Sequence, residues 1–91
     1  MAKTIWKYEL PVEDSFSLDL PVSAEILSLD VQYGRPTLWC LVDLELYEVK
    51  ERTFRFFGAG QILEENFNEL KFVGTVLLRS DTLVFHLFEE I

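Results

Sequence analysis

Hydrophobic and polar residues alternate with a period of two along most of the chain. In the segment TIWKYEL, an extended backbone places Trp6, Tyr8 and Leu10 on one face and the intervening charges on the other. This spacing predicts a strand with one buried face. SFSLDLP repeats the pattern after the short break PVED, so we expect these two segments to pair as a hairpin.

The same alternation recurs further along the chain. EILSLDVQY and LWCLVDLEL flank GRPT, which predicts a second hairpin with its turn at residues 34–37. After the charged loop VKE comes the strand RTFRFF, which ends at Gly-Ala-Gly. KFVGTVLL and TLVFHLF flank the polar turn RSD and bring the prediction to about seven strands.

Length and composition favour one folded domain. The chain has 91 residues, of which 49% are hydrophobic and only three are proline, and this fits a single core. Helical periodicity is nearly absent, and its best candidate, ILEENFNEL, indicates a loop with one helical turn. We therefore predict an all-β domain over residues 1–91, a small antiparallel sandwich or partly open barrel.

The alternation also predicts which side chains face the core. For each strand, one of its two faces is taken as the buried one. The predicted core consists of Trp6, Tyr8, Leu18, Leu20, Leu29, Val31, Leu38, Cys40, Phe54, Phe56, Val76, Phe85 and Leu87.

The last strand, TLVFHLF, is apolar on both faces. Leu83, Phe85 and Leu87 fall on one face, while Val84 and Phe88 fall on the other. Such a strand lies either in the middle of a sandwich or under a neighbouring subunit. Because a small sheet buries a limited share of its surface alone, we expect a homo-oligomer in which the terminal strand contributes to the interface.

The net charge and the single cysteine limit the partners and the compartment. A formal charge of −8 repels nucleic-acid backbones and anionic lipid surfaces, so neither general nucleic-acid binding nor membrane binding is expected. Cys40 stands alone, which excludes an internal disulfide, and the N-terminus lacks the apolar segment of a signal peptide. These features predict a cytoplasmic location in the cell that makes the protein.

The chain offers little for catalysis or metal binding. Its one imidazole, His86, lies inside a hydrophobic strand, and Cys40 is expected to be a small core residue. With these two zinc-type ligands and no phosphate-binding loop, we predict no catalytic residue, no metal site and no cofactor. The adjacent carboxylates at positions 64–65 and 89–90 are typical of solvated faces.

Arg55 and the glycines that follow it are the first candidates for a binding site. Arg55 lies among phenylalanines, just before Gly58 and Gly60, whose backbone N–H groups are able to cradle an anion. Its alternative role is that of a surface arginine whose stem covers the strand. Two roles fit His86. It is either a half-buried strand histidine with a backbone partner, or it makes a polar contact in a ligand or subunit pocket.

Several motifs follow one another in a distinctive order: TIWKYEL, AEILSLDVQYG, LWCLVD, RTFRFFGAGQI, FVGTV and LVFHLFE. This series resembles a small family of uncharacterised proteins encoded mainly in phage and prophage genomes, over almost the whole chain. The resemblance implies a phage-type protein and carries over no catalytic residue. The family's pattern is similar to Gly-Thr-Gly-His where this chain has Gly58-Ala59-Gly60-Gln61. That departure puts any chemistry of the threonine and histidine in doubt, whereas binding by backbone N–H groups survives it.

Two classes of function fit these features. The first is a non-enzymatic, oligomeric binder that sequesters a small nucleotide-like signal of host defence. In it, a ring such as Trp39 or Phe57 stacks a base, while Arg55 and Arg52 meet phosphate. The second is an accessory factor or inhibitor that presents an acidic sheet surface to a basic host protein. A structural component of virion assembly is a third alternative.

Overall fold

The computed structural model describes residues 2–46, 48–63, 69–80 and 82–91, and these form seven β-strands and no α-helix. The all-β class and the expected number of strands are confirmed. Residues 64–68 of the segment ILEENFNEL lie outside the described residues. The strands are β1 (Lys3–Glu9), β2 (Ser15–Pro21), β3 (Glu25–Gln32), β4 (Arg35–Asp43), β5 (Val49–Gly58), β6 (Leu70–Leu78) and β7 (Leu83–Glu90).

The strands form two antiparallel sheets that face each other. A three-stranded sheet has the order β1-β4-β3, and a four-stranded sheet has the order β2-β5-β7-β6. The sheets do not close into a barrel, so the sandwich is the correct one of the two predicted architectures. The terminal strand β7 lies inside its sheet, where β5 and β6 flank it.

The first predicted hairpin is wrong, because β1 and β2 belong to different sheets. β1 pairs with β4, and β2 pairs with β5. The connection between them passes from one sheet to the other within a few residues. At its start the Leu10 N–H donates to the Pro36 carbonyl of β4, and at its end the Asp14 carbonyl accepts from the Phe56 N–H of β5. Leu10 is buried at this crossing, which explains why the break PVED follows an apolar residue.

The second predicted hairpin, β3–β4, is confirmed, but its turn is shifted. Tyr33 and Gly34 form the turn with φ angles of 53° and 76°, the left-handed conformation that a two-residue hairpin loop requires. Residues 35–37, which were expected in the turn, instead begin β4. The segment VKE, predicted as a loop, likewise belongs to β5, where Lys50 and Glu51 pair with β2.

The β6–β7 hairpin is also formed as predicted. Its turn includes Arg79 and Ser80, with φ angles of 50° and 53°, and the third residue of RSD lies outside the described residues. The two strands that flank this turn pair from Leu78 opposite Leu83 to Leu70 opposite Glu90.

A hydrophobic cluster fills the space between the sheets. Its buried members are Leu10, Phe16, Leu20, Leu38, Cys40, Val42, Phe54, Phe56, Val76, Leu78 and Leu87. Seven of these had been predicted, which are Leu20, Leu38, Cys40, Phe54, Phe56, Val76 and Leu87. A second predicted group is partly buried and packs against the cluster, namely Tyr8, Leu18, Leu29, Val31 and Phe85.

Trp6 is the one predicted core residue that the structure leaves in solvent. Its side chain is 45% exposed, although it shares a face of the sheet with its buried partner Cys40 on β4. β1 is the outer strand of the three-stranded sheet, so this position has little covering it from the opposite sheet. Periodicity identified the correct face of β1, whereas exposure depends on the position of the strand within its sheet.

The two sheets approach most closely where β3 meets β6. A methyl group on Gly74 of β6 would lie 3.2 Å from the Cβ of Leu29 on β3, so Leu29 would have to give way by a few tenths of an ångström. The register of β6 against β7 also shifts at this point, between Phe72 and Gly74. Gly74 therefore has a packing role, since it permits one sheet to sit against the other.

Replacing Gly74 with valine should test this contact. We expect Gly74→Val to lower the free energy of unfolding by about 1–3 kcal/mol because the added methyl groups overpack the β3–β6 contact. Urea denaturation measures the change. Gly58→Ala is the matched control, because the new methyl group would meet nothing closer than 3.8 Å. The prediction fails if Gly74→Val is as stable as the wild type, or if adding Leu29→Ala recovers none of the lost stability.

Candidate functional site

The outer face of the four-stranded sheet gathers rings and polar side chains from three strands. Phe54, Phe56 and Leu87 of β5 and β7 point into the core, so their neighbours along each strand point outward. We call this surface the aromatic face, and it consists of Arg55, Phe57, Phe72, Thr75, His86 and Phe88.

Strand register arranges this face in two rows. In the first row, Ser15, Arg55, Phe88 and Phe72 lie directly opposite one another across the sheet. In the second row, Phe57, His86 and Thr75 do the same. Arg55 and His86 lie far apart in sequence. Strand pairing makes them diagonal neighbours, because they lie on adjacent strands in adjacent rows.

Three phenylalanines form a continuous cluster on this face. The ring centroids of Phe57 and Phe88 are 5.5 Å apart, and those of Phe72 and Phe88 are 5.4 Å apart, both in edge-to-face geometry. Phe57 is buried, while Phe72 is 56% exposed. The cluster explains why β7 is apolar on both sides, since Phe88 packs between two rings. Phe72 is the ring that the cluster presents to solvent.

Arg55 lies across the buried ring of this cluster. Its guanidinium carbon is 5.2 Å from the centroid of Phe57, within the range of a cation–π contact. The residue is half-buried, and its Nε atom is buried. The same geometry holds the positive charge in a defined place beside Phe88.

His86 forms a hydrogen bond with a side chain on the neighbouring strand. The His86 Nδ1 and the Thr75 Oγ1 are 2.8 Å apart, and the two residues are register partners on β7 and β6. The partner is thus a hydroxyl group, where the structural alternative had expected a backbone group. His86 is half-buried and lies directly opposite Phe57 of β5.

Two backbone N–H groups of the Gly-Ala-Gly turn already donate hydrogen bonds within the protein. The Gly58 N–H donates to the Gln61 Oε1 over 2.9 Å, and the Ala59 N–H donates to the Val84 carbonyl over 3.1 Å. Gly60 has a φ of +81°, so it serves the turn through its left-handed conformation. These bonds remove two of the donors that an anion cradle would need.

Gly58 also belongs to the opposite side of the sheet from Arg55. It is the register partner of Phe85, and a methyl group placed on it would point toward that ring, 4.0 Å from its Cε1 atom. Arg55 instead lies opposite Phe88 on the outer face. The turn and the arginine are therefore close in sequence without forming one pocket.

Arg52 lies on the inner face of β5 and is bound to a carboxylate. Its Nε and Nη2 donate to the two oxygens of Glu89 over 2.6 and 2.7 Å, and its Nη1 donates to the Ala24 carbonyl over 2.9 Å. The hydrogen bond to Glu89 raises the pKa of the Arg52 guanidinium, which stays charged. Glu89 is 8% exposed, so the expectation of a solvated carboxylate pair at 89–90 is wrong for this residue.

Two open clefts, of about 620 and 410 Å³, meet at the ion pair between Arg52 and Glu89. Lys71 lines both clefts, while Lys50 and Glu51 line the larger one. Both clefts are lined by positive and negative side chains, and Arg52 is bound to Glu89, so they present no concentrated charge of one sign. The aromatic face is the better candidate for a site.

Trp39 lies on the opposite side of the molecule. Leu38 and Cys40 on either side of it point into the core, so Trp39 faces outward from the three-stranded sheet, between Lys7 and Ser28. It is separated from Arg55 and His86 by the thickness of both sheets. Of the predicted ligand-binding residues, the structure brings only Arg55 and His86 together.

Sequence reasoning missed Phe72, Phe88 and Thr75 as members of the site. Each lies on a strand face whose neighbours are set by the pairing of β5, β7 and β6, which the local sequence does not specify. The available signal was the apolar character of β7 on both faces, which does not by itself distinguish a ring cluster on one sheet from a subunit interface.

The described residues contain no group of three histidine, cysteine, aspartate or glutamate side chains arranged to hold a metal ion. Within the same part of the chain, no helix has the length and apolar character needed to cross a membrane.

Fold and site together define a small two-sheet antiparallel sandwich with a cationic aromatic face. Residues 1–91 match DUF7352, a domain of unknown function, and the chain belongs to that family. No curated protein and no solved structure matches the chain significantly.

The ion pair between Arg52 and Glu89 should contribute strongly to stability. We expect Glu89→Ala to lower the free energy of unfolding by about 3 kcal/mol, because it leaves the Arg52 charge uncompensated in a mostly buried place. The exposed neighbour gives a matched control, and Glu90→Ala should change stability by less than about 0.5 kcal/mol. Urea denaturation measures the free energy of unfolding of both variants. Equal losses of stability in Glu89→Ala and Glu90→Ala would refute the prediction. The apolar pair Arg52→Met with Glu89→Leu should recover much of the loss.

The Cys40 thiol should be inert in the folded protein. Burial raises the pKa of Cys40, so the thiol stays protonated at a mildly alkaline pH where an exposed thiol is partly ionised. We expect iodoacetamide to label Cys40 rapidly in concentrated urea and only very slowly in buffer. Mass spectrometry measures the labelled fraction over time. Rapid labelling of the folded protein would contradict both the burial and the raised pKa.

Proposed function

We propose that the protein is a non-enzymatic binding protein that sequesters a small nucleotide-like molecule on the aromatic face. The observation that carries the proposal is the guanidinium of Arg55, held over Phe57 in the same row as the exposed ring of Phe72. An arginine beside exposed aromatic surface is a combination that binds a planar base and an anion together.

The dimensions of the face fit a ligand of this class. Arg55 and Phe72 lie two strands apart in one row, which corresponds to a separation of about 10 Å. One nucleotide is able to bridge that span, with its base on Phe72 and its phosphate at Arg55. His86 and Thr75, one row further, supply polar groups for the part of the ligand between these ends.

Binding without turnover is the role that these groups favour. The Thr75 hydroxyl and the His86 imidazole are hydrogen-bonded, but a nucleophilic triad also uses a carboxylate to orient the imidazole. Glu89, on the same strand as His86, points to the inner face and is bound to Arg52. The net charge of −8 further favours a small ligand over a nucleic-acid strand, because long-range repulsion grows with the charge of the ligand.

The resemblance to phage and prophage proteins is the reason for assigning the ligand to the host. A phage-type accessory protein without catalytic residues acts by holding its target, and a signal molecule of host defence is a target that sequestration alone can silence. The alternatives, an acidic inhibitor of a basic host protein and a virion-assembly component, require no ligand on this face.

A ligand panel tests the proposal directly. We expect at least one of the purine or pyrimidine nucleoside monophosphates and diphosphates to raise the melting temperature of the protein and to bind in isothermal titration calorimetry. For that nucleotide, Arg55→Gln should weaken binding at least about tenfold through the loss of charge-assisted hydrogen bonds. Phe72→Ser should weaken it too, because the stacking surface is lost.

Controls separate binding from folding. Arg35→Gln removes one positive charge from the other sheet, where Arg35 forms an exposed ion pair with Glu9, and it should leave the affinity unchanged. Urea denaturation of each variant shows whether the fold is intact. If no nucleotide in the panel binds, or if folded Arg55→Gln binds as tightly as the wild type, the assignment is wrong and a protein partner becomes the better hypothesis.

A further inference from the structure

β1 offers an open strand edge at the rim of the three-stranded sheet. It pairs with β4 on one side, and the sheet order places no further strand on the other side. Two adjacent large side chains on this strand are exposed, with Ile5 at 55% and Trp6 at 45%. Ile5 points outward from the sandwich and Trp6 inward, so apolar surface is available on both faces of the same edge.

The hydrogen bonds to β4 show which backbone groups of β1 face the open side. The Ala2 carbonyl accepts from the Leu44 N–H at one end of the pairing, and the Leu10 N–H donates to the Pro36 carbonyl at the other. Both pairs continue the register of β1 with β4 without a shift. Because hydrogen-bonded pairs alternate along an antiparallel ladder, the even-numbered residues of β1 bond to β4. The backbone groups of Lys3, Ile5, Lys7 and Glu9 therefore point away from the sheet.

We propose that β1 pairs with β1 of a second copy of this chain, antiparallel and with Trp6 on the two-fold axis. In this register Lys3 lies opposite Glu9 of the other copy, and Ile5 lies opposite Lys7. These are the residues whose N–H and C=O groups face outward, so each pair is able to exchange two main-chain hydrogen bonds. The two Trp6 side chains meet at the closely spaced position between them.

The charged side chains of β1 favour this register over the two registers shifted by one residue at the two-fold axis. A shift that centres the two-fold on Ile5 places Lys3 opposite Lys7, and a shift that centres it on Lys7 places the two copies of that lysine opposite each other. Both arrangements oppose like charges, which destabilises a cross-strand pair. With Trp6 at the centre, the Lys3–Glu9 attraction occurs twice by symmetry.

The other strand edges fit self-pairing less well. β2 ends in Pro21, which has no N–H to donate, and its large side chains Phe16 and Leu20 are buried. β3 and β6 lie against each other at the contact of Leu29 with Gly74, so each hinders access to the other. Among the described strands, β1 combines an open edge, exposed apolar side chains and complementary charges.

The resulting dimer has one continuous sheet made from two three-stranded sheets. The aromatic face belongs to the four-stranded sheet and stays outside this interface, so each copy keeps its own candidate site. The inference does not depend on the proposed function, because it concerns a different strand and a different partner. Its test measures mass and cross-linking, and neither depends on a nucleotide.

Disulfide cross-linking reads out the register. The test uses the full chain with Cys40→Ala, which removes the native thiol that lies opposite Trp6 on β4. In that background, Trp6→Cys should form an intermolecular disulfide under mild oxidation, since residues at a two-fold of this kind have Cα atoms about 4.5 Å apart. Ile5→Cys and Lys7→Cys report the two shifted registers and should cross-link far less.

The mass of the untreated protein tests association itself. Light scattering coupled to gel filtration should give twice the mass of one chain at micromolar concentration. Ile5→Pro should give a monomer with an unchanged fold, because it removes an outward N–H donor without touching the bonds to β4. Circular dichroism and urea denaturation verify that this variant folds.

A charge exchange supplies a second, milder test. Lys3→Glu places two carboxylates opposite each other and should weaken the dimer, and adding Glu9→Lys should restore it. A monomeric wild type at micromolar concentration overturns the proposal, and so does a dimer that Ile5→Pro leaves intact. A dimer that cross-links through Ile5→Cys or Lys7→Cys in preference to Trp6→Cys overturns the register.

Discussion

The bidentate ion pair between Arg52 and Glu89 is the interaction on which the arrangement of the two sheets depends. Both residues lie on the inner face of the four-stranded sheet, where a single charge would be costly, so neither is tolerated without the other. The Nη1 of Arg52 donates to the carbonyl of Ala24, the residue just before β3 of the opposite sheet. Hydrophobic burial drives the sheets together without direction. The Arg52 guanidinium fixes how the sheets are oriented, because its planar group binds Glu89 on β7 of its own sheet and the Ala24 carbonyl beside the opposite sheet.

Strand parity places the two arginines of β5 on opposite faces of the sheet. Arg52 and Arg55 are three residues apart on β5, and an odd spacing on a strand puts two side chains on opposite faces. Arg52 therefore points inward to Glu89, and Arg55 points outward to lie over Phe57. The same parity separates Gly58 from Arg55. A single strand thus serves the core with one arginine and the aromatic face with the other.

Local pattern predicted the strands, and strand pairing determined what the pattern left open. Alternation identified seven strands, most of the core and the two hairpins with tight polar turns, because these depend on neighbours in sequence. It failed for β1 and β2, since nothing in PVED distinguishes a turn from a crossing between sheets. For the site, grouping Arg52 and Trp39 with Arg55 overlooked parity and sheet membership. The row of Arg55, Phe88 and Phe72 joins three strands that are distant in sequence, and only their register reveals it.

The charges of this protein affect self-association both at long range and at direct contact. The whole chain carries a formal charge of −8, so two copies repel one another at long range. The β1 edge differs from that average, because its outward-facing positions carry both signs of charge, with Lys3 and Lys7 beside Glu9. In the proposed register Lys3 of each copy lies opposite Glu9 of the other, so two acidic molecules that meet edge to edge gain a local attraction against the general repulsion. Added salt screens the distant charges more than pairs in contact, so it weakens the repulsion while largely sparing the main-chain hydrogen bonds and apolar contacts of such an edge. An acidic surface and self-association through β1 are for this reason compatible in one small domain.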